Sequence, residues 1–216
     1  MLRAMPRGRG GPAHPLPRAS PLGLTVLLML AGGPLHPYEM QRRMRHWGKD
    51  QVVNLAQRAS LYKTIDRLKQ AGLIAVNKTE REQRFPERTV YELTEDGLRV
   101  GREWLAEMLA TPRNEFPRFP AALSFVMGLT PEEARAVLER RAGLLREQLA
   151  KLERDLAWTQ EGRRPPRVAL LETEYLRAVT AAELDWVNGA VEDLRRGALT
   201  WSHEELAQAA ESFLPG

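Results

Sequence analysis

Residues 58–73 read RASLYKTIDRLKQAGL, and the fold of the whole chain turns on them. Leu61, Ile65 and Leu68 fall at i, i+4 and i+7 and so share one face of a helix. Ser60, Lys63, Thr64 and Arg67 are read as lying off that stripe, with Tyr62 at its edge. Gly72 stands where a helix favours a left-handed terminal residue. The predicted helix has an apolar back and a front of hydroxyls and cations. Such a front suits a nucleic-acid groove, because hydroxyls and long cations meet phosphate oxygens and base edges. The bland reading is a solvated basic face; the elements around it decide between the two.

Before this helix, LGLTVLLMLAGG (22–33) predicts a buried helix, and GPLHPYEMQRRMRHWG (33–48) a second one after a Gly-Gly-Pro break. The apolar run follows a basic arm and so also has the look of a signal peptide. It is about half the ~20 residues a membrane span needs, and the second helix follows at once. After the key helix, LIAVNKT (73–79) and TVYELT (89–94) predict two short strands around a polar turn, EREQRFPER (80–88). Three helices and a β-hairpin make a winged helix-turn-helix, with the third helix as reader and the hairpin tip as wing. Thr94 caps a further helix that runs to Ala110.

Pro112, Pro117 and Pro120 mark a linker, followed by a short apolar helix, AALSFVMGL (121–129). Thr130-Pro131-Glu132-Glu133 opens a long helix in which Leu138, Ala142, Leu145, Leu149, Leu152 and Leu156 form a heptad seam. A second long helix, over 166–196, presents Val168, Leu171, Tyr175, Ala178, Ala182 and Trp186 as its seam. Ser202 opens one more short helix. Two long antiparallel helices with narrow seams leave apolar surface uncovered, and a second copy related by a two-fold axis is the simplest cover. The expected class is therefore mainly α with a small β-hairpin: a winged helix-turn-helix plus a C-terminal antiparallel long-helix dimerisation domain. The expected boundaries are a disordered basic arm (1–21), a DNA-binding domain (22–111), a linker (112–120) and the dimerisation domain (121–216).

Composition agrees. The chain has 216 residues, is 43% hydrophobic and 28% charged, so it can bury a core. Residues 1–110 carry 18 Lys and Arg against 11 Asp and Glu, whereas residues 111–216 carry 14 against 17. Only the front half is suited to a polyanion. The arm, with five prolines, three glycines and four arginines, is either without a role or outside the native protein, with non-specific phosphate contact as the lesser reading. There is no cysteine, which is compatible with a reducing cytoplasm.

LTVLLMLAGGPLHPYEM, ASLYKTIDRLKQAGLI and TVYELTEDG, in this order and spacing, resemble the PadR family of bacterial transcriptional regulators. Two departures stand out. His36-Pro37-Tyr38 replaces the family's usual H-G-Y, and the wing sets Arg81, Arg84 and Arg88 among Glu80, Glu82 and Glu87 in place of consecutive arginines. The resemblance implies a cytoplasmic dimeric repressor on a palindromic operator, often released by a small aromatic effector. Two alternatives remain: an activator of the same fold, and a helical protein-interaction module with a vestigial wing.

The DNA-contact residues expected are Ser60, Tyr62, Lys63, Thr64 and Arg67 on the third helix. Lys63 and Arg67 lie one turn apart; Arg67 suits guanine, and Lys63 a phosphate or a base. Tyr62 has an alternative place in the core. Tyr38 is suited equally to a phosphate and to packing, and Arg81, Arg84 and Arg88 are wing contacts. For an effector, Trp104, Trp158, Tyr175 and Trp186 are the aromatic candidates, although such a stripe is more often core. No enzyme, cofactor or metal is expected. His14, His36, His46 and His203 have no ligand spacing, and no phosphate loop or nucleophile motif is present.

Overall fold

The structure, a computed structural model, describes residues 16–47, 58–80, 88–158, 165–202 and 204. It divides into two units between Asn114 and Glu115.

In the first unit, Ser20 caps α1 (Pro21–Leu30): its Oγ accepts from the Gly23 amide at 3.1 Å, and Pro21 sits at the first position, where no amide is missed. Gly33, at φ 129°, turns the chain into Leu35, which exchanges two backbone hydrogen bonds with Tyr91. His36 caps α2 (Pro37–His46) through Nδ1, which accepts from the Tyr38 amide. The third helix, α3 (Arg58–Gln70), stops at Gly72 in the left-handed conformation (φ 70°). Leu73 N–H donates to the Leu68 carbonyl and Gly72 N–H to that of Lys69, the paired closure that such a glycine permits. Leu61, Ile65 and Leu68 are buried against Val26, Leu27 and Leu30 of α1 and Met40 of α2.

The hairpin follows: β1 (Ile74–Glu80) pairs antiparallel with β2 (Arg88–Leu93), Ile74 opposite Leu93 and Glu80 opposite Arg88, with a register shift between Val76 and Lys78. Thr94 then caps α4 (Glu95–Ala110) and donates its own hydroxyl proton to the Gly72 carbonyl at 2.8 Å. Gly97 of α4 lies against the Leu73 carbonyl, where a Cβ would come within 1.9 Å of the oxygen.

The second unit opens with α5 (Arg118–Leu123) and a 3₁₀ turn at Val126–Gly128, where the sequence predicts one short helix over 121–129. Thr130 and Glu133 close a capping box on α6 (Pro131–Ala157). The next helix, α7 (Leu171–Arg195), begins later than the 166 expected, because Pro165 and Pro166 are not helical and Arg167–Ala169 forms a 3₁₀ turn. It runs antiparallel to α6: Glu139 meets Arg195, Arg146 meets Asn188, and Glu153 meets Arg177.

The seam expected on α6 is the one buried, with Leu149 and Leu156 half-covered. The seam expected on α7 is not. Thr180, Leu184, Val187, Val191 and Leu194 pack towards α6, whereas Leu171, Tyr175, Ala178, Ala182 and Trp186 are exposed on the helix and Val168 on the turn before it. Both stripes step by three and four residues, so periodicity alone does not say which one the neighbouring helix covers. Residues 205–216, most of the last expected helix, lie outside the described residues, as do residues 1–15 of the arm.

Candidate nucleic-acid interface

The apolar back of α3 fixes what its front can offer. Tyr62, 46% exposed, and Lys63 and Arg67, both exposed, point away from the core, with Ser60 half-buried at the helix start. Tyr62 is thus not a core residue. Thr64 is the correction to the sequence reading. It stands three residues after Leu61 and four before Leu68, which puts it on the buried stripe, and it is only 4% exposed. Its Oγ1 accepts from Arg67 Nη2 at 3.3 Å, beneath the exposed face. The face holds one acid, Asp66, exposed between Lys63 and Arg67. Asp66 also raises the Tyr91 hydroxyl above its ordinary pKa, second to burial.

Beside α3 stands a basic run that the sequence reading passed over. Arg42, Arg43 and Arg45 of α2 are exposed. Glu39 holds two of them, Arg43 Nε and Arg42 Nε each lying 2.9 Å from its carboxylate. The hydrogen bond from Arg43, then that from Arg42, keeps the Glu39 carboxyl below the usual carboxylate range. The signal was the QRRMRH run itself. Tyr38, in the first turn of α2, is 57% exposed and does not pack in the core.

The wing is described at its stem. Asn77 Nδ2 donates to Glu92 across the strands at 2.6 Å, and Lys78 is exposed. Arg81 and Arg84 lie outside the described residues; Arg88 opens β2 in register with Glu80.

Of the four aromatic residues expected at an effector site, Trp104 lies in the first unit and Trp158, Tyr175 and Trp186 in the second. Trp104 packs into the first unit's core, its ring 3.1 Å from where a Cβ on Gly23 would stand. Trp158 follows the end of α6 and is exposed, as is Tyr175 on α7. Trp186 meets Phe119 edge to face, centroids 6.1 Å apart, and lines a cavity of about 500 Å³ together with Trp201, which the sequence reading did not single out. Among the described residues no group of acids and histidines could hold a metal ion, and no helix is long and apolar enough to cross a membrane.

Three helices, a hairpin packed beside the third, and a cationic face on that third helix define a winged helix-turn-helix domain. Residues 26–103 match the model of the transcriptional regulator PadR-like family. No curated protein matches. Among solved structures, Bacillus subtilis PadR in complex with operator DNA is 18% identical, with a TM-score of 0.64 over 80% of this chain and 98% of that one. The same protein in complex with p-coumaric acid gives 17% and 0.62 over 81% and 98%. The Vibrio cholerae virulence activator AphA gives 16% and 0.56 over 81% and 98%. At these identities the likeness is one of fold, and it spans both units: the winged helix and the long helices after it.

Proposed function

We propose that this chain is a cytoplasmic, dimeric, ligand-responsive repressor that reads a palindromic operator with α3. The observation that carries this reading is the split of α3: Leu61, Ile65 and Leu68 anchor it while Tyr62, Lys63 and Arg67 stand free of the core. In this reading Arg67 makes a bidentate contact with guanine, Lys63 meets a phosphate or a base, and Ser60, Tyr38, Arg81, Arg84 and Arg88 meet the backbone. The partition that goes with it is an arm (1–21), a DNA-binding domain (22–111), a linker (112–120) and a dimerisation domain (121–216). The outward stripe of α7 supports the dimer, since Leu171 and Tyr175 are each more than half exposed on one helix. A dimer offers α3 twice, which fits half-sites about one helical turn apart. A fold relative bound to p-coumaric acid supports a small aromatic effector. Activation is the second reading of the same DNA-bound state, supported by the fold relative described as a virulence activator.

The test is fluorescence anisotropy of the purified protein on DNA from its own upstream region against a shuffled duplex of equal length. Binding with Kd on the order of 10⁻⁸ M, and at least about 10³ tighter than to the shuffled DNA, is the outcome expected. Equal affinity for both duplexes would reject the reading.

A further inference from the structure

The second unit holds a cavity of about 500 Å³ that the DNA interface does not use. It is lined by Leu138 of α6, Ala190 and Trp186 of α7, Met127 of the 3₁₀ turn, and Thr200 and Trp201 of the segment that follows α7. That last wall is built by hydrogen bonds. Gly197, at φ 70°, reverses the chain at the end of α7, and Leu199 N–H donates to the Asp193 carbonyl at 3.1 Å. Trp201 Nε1 donates to the Leu129 carbonyl at 2.9 Å, tying residues 72 apart in sequence. The result is a concave site where α7 alone would present a flat helical face.

We infer that this cavity is a binding site for an uncharged, largely apolar molecule with one or two aromatic rings. The volume falls in the ~300–1,000 Å³ range of small-molecule sites. Two indoles and a thioether offer ring edges and polarisable contacts to an aromatic guest. Every lining side chain is uncharged, and the polar groups among them are the Thr200 hydroxyl and two indole N–H groups, of which that of Trp201 is bonded to Leu129. Arg141, the cation above the Phe119 ring, is already paired with Glu183. A carboxylate entering the cavity would lose its water and gain no cation, whereas a neutral guest loses nothing of the kind. By this chemistry the site refuses an anion such as p-coumarate, the ionised form of the ligand in one fold relative, and accepts its neutral counterpart. The site rests on the effector part of the reading above and owes nothing to its DNA part.

The experiment is a fluorescence titration of the full chain with N-phenyl-1-naphthylamine, a neutral aromatic probe, with p-coumarate and methyl p-coumarate as competitors at neutral pH. Saturable binding of one probe per chain is expected, with the ester displacing it at least about tenfold better than the acid. Ala190→Phe, which fills the space, weakens the probe by at least about tenfold, and Met127→Ala, on a half-exposed turn, by a few-fold. If Ala190→Phe fails to fold by circular dichroism, Met127→Ala decides. The inference is overturned if the folded wild type shows no saturable binding, as when a second copy or the chain's own last residues fill the cavity. Equal competition by acid and ester, or unchanged probe affinity in the folded variants, overturns it as well. Anisotropy on DNA with and without saturating probe reads the effector role separately, so loss of the site and loss of the operator reading give different results.

Discussion

Helices α3 and α7 are built alike and exposed differently. Each buries one stripe stepping by three and four residues, and each turns a second face outward. On α3 that face is Tyr62, Lys63, Asp66 and Arg67; on α7 it is Leu171, Tyr175 and Val179. A charged face is stable in water, and a polyanion adds to it by releasing counterions. An apolar face of that extent is stabilised only by being covered, at roughly 25 cal/mol for each Å² removed from water. The outward residues of a helix therefore tell which kind of partner it suits, while the inward residues tell only that it is folded.

The contrast is broken most severely from the inside. Val187, fully buried on the inner stripe of α7, replaced by Asp should cost at least about 4 kcal/mol and melt the second unit, read as loss of its transition in thermal denaturation. Tyr175→Arg with Val179→Arg, both on the outer stripe, should leave the fold intact yet convert a dimer to a monomer in light scattering. Its operator affinity should fall by about a hundredfold or more, because the second α3 is no longer held on the same duplex. A melted unit would place these residues in the core instead. Arg67→Ala should cost about 1–3 kcal/mol on the operator and relax preference at one base pair, while Lys63→Ala should weaken all sequences alike and flatten the salt dependence by about one unit. Smallest is Thr64→Val. If Thr64 is a buried residue and not a contact, operator affinity should stay within about threefold, with stability changed by about 1 kcal/mol or less.

The N-terminal fold was legible because its signals are local. The Leu61-Ile65-Leu68 spacing, Gly72 and Thr94 each have one short-range job, and each does it. Thr64 was misplaced because its hydroxyl suggested solvent, whereas its position between Leu61 and Leu68 puts it beneath the surface. On α7 the periodicity was real, but two apolar stripes satisfy it, and only the position of α6 chooses between them. Trp201 escaped because its place depends on a backbone reversal at Gly197 and on a carbonyl 72 residues away, neither of which leaves a pattern in nearby sequence.

The joint where α3 ends has a mechanical consequence. Thr94 is bonded to Gly72 by its hydroxyl and to Leu73 by its amide, and Gly97 leaves no slack against the Leu73 carbonyl. Helix α3 and the start of α4 are thus joined at one elbow by two hydrogen bonds and one close backbone contact. A twist of α4 should therefore be felt at α3, and with it at Lys63 and Arg67, rather than being lost in a loop.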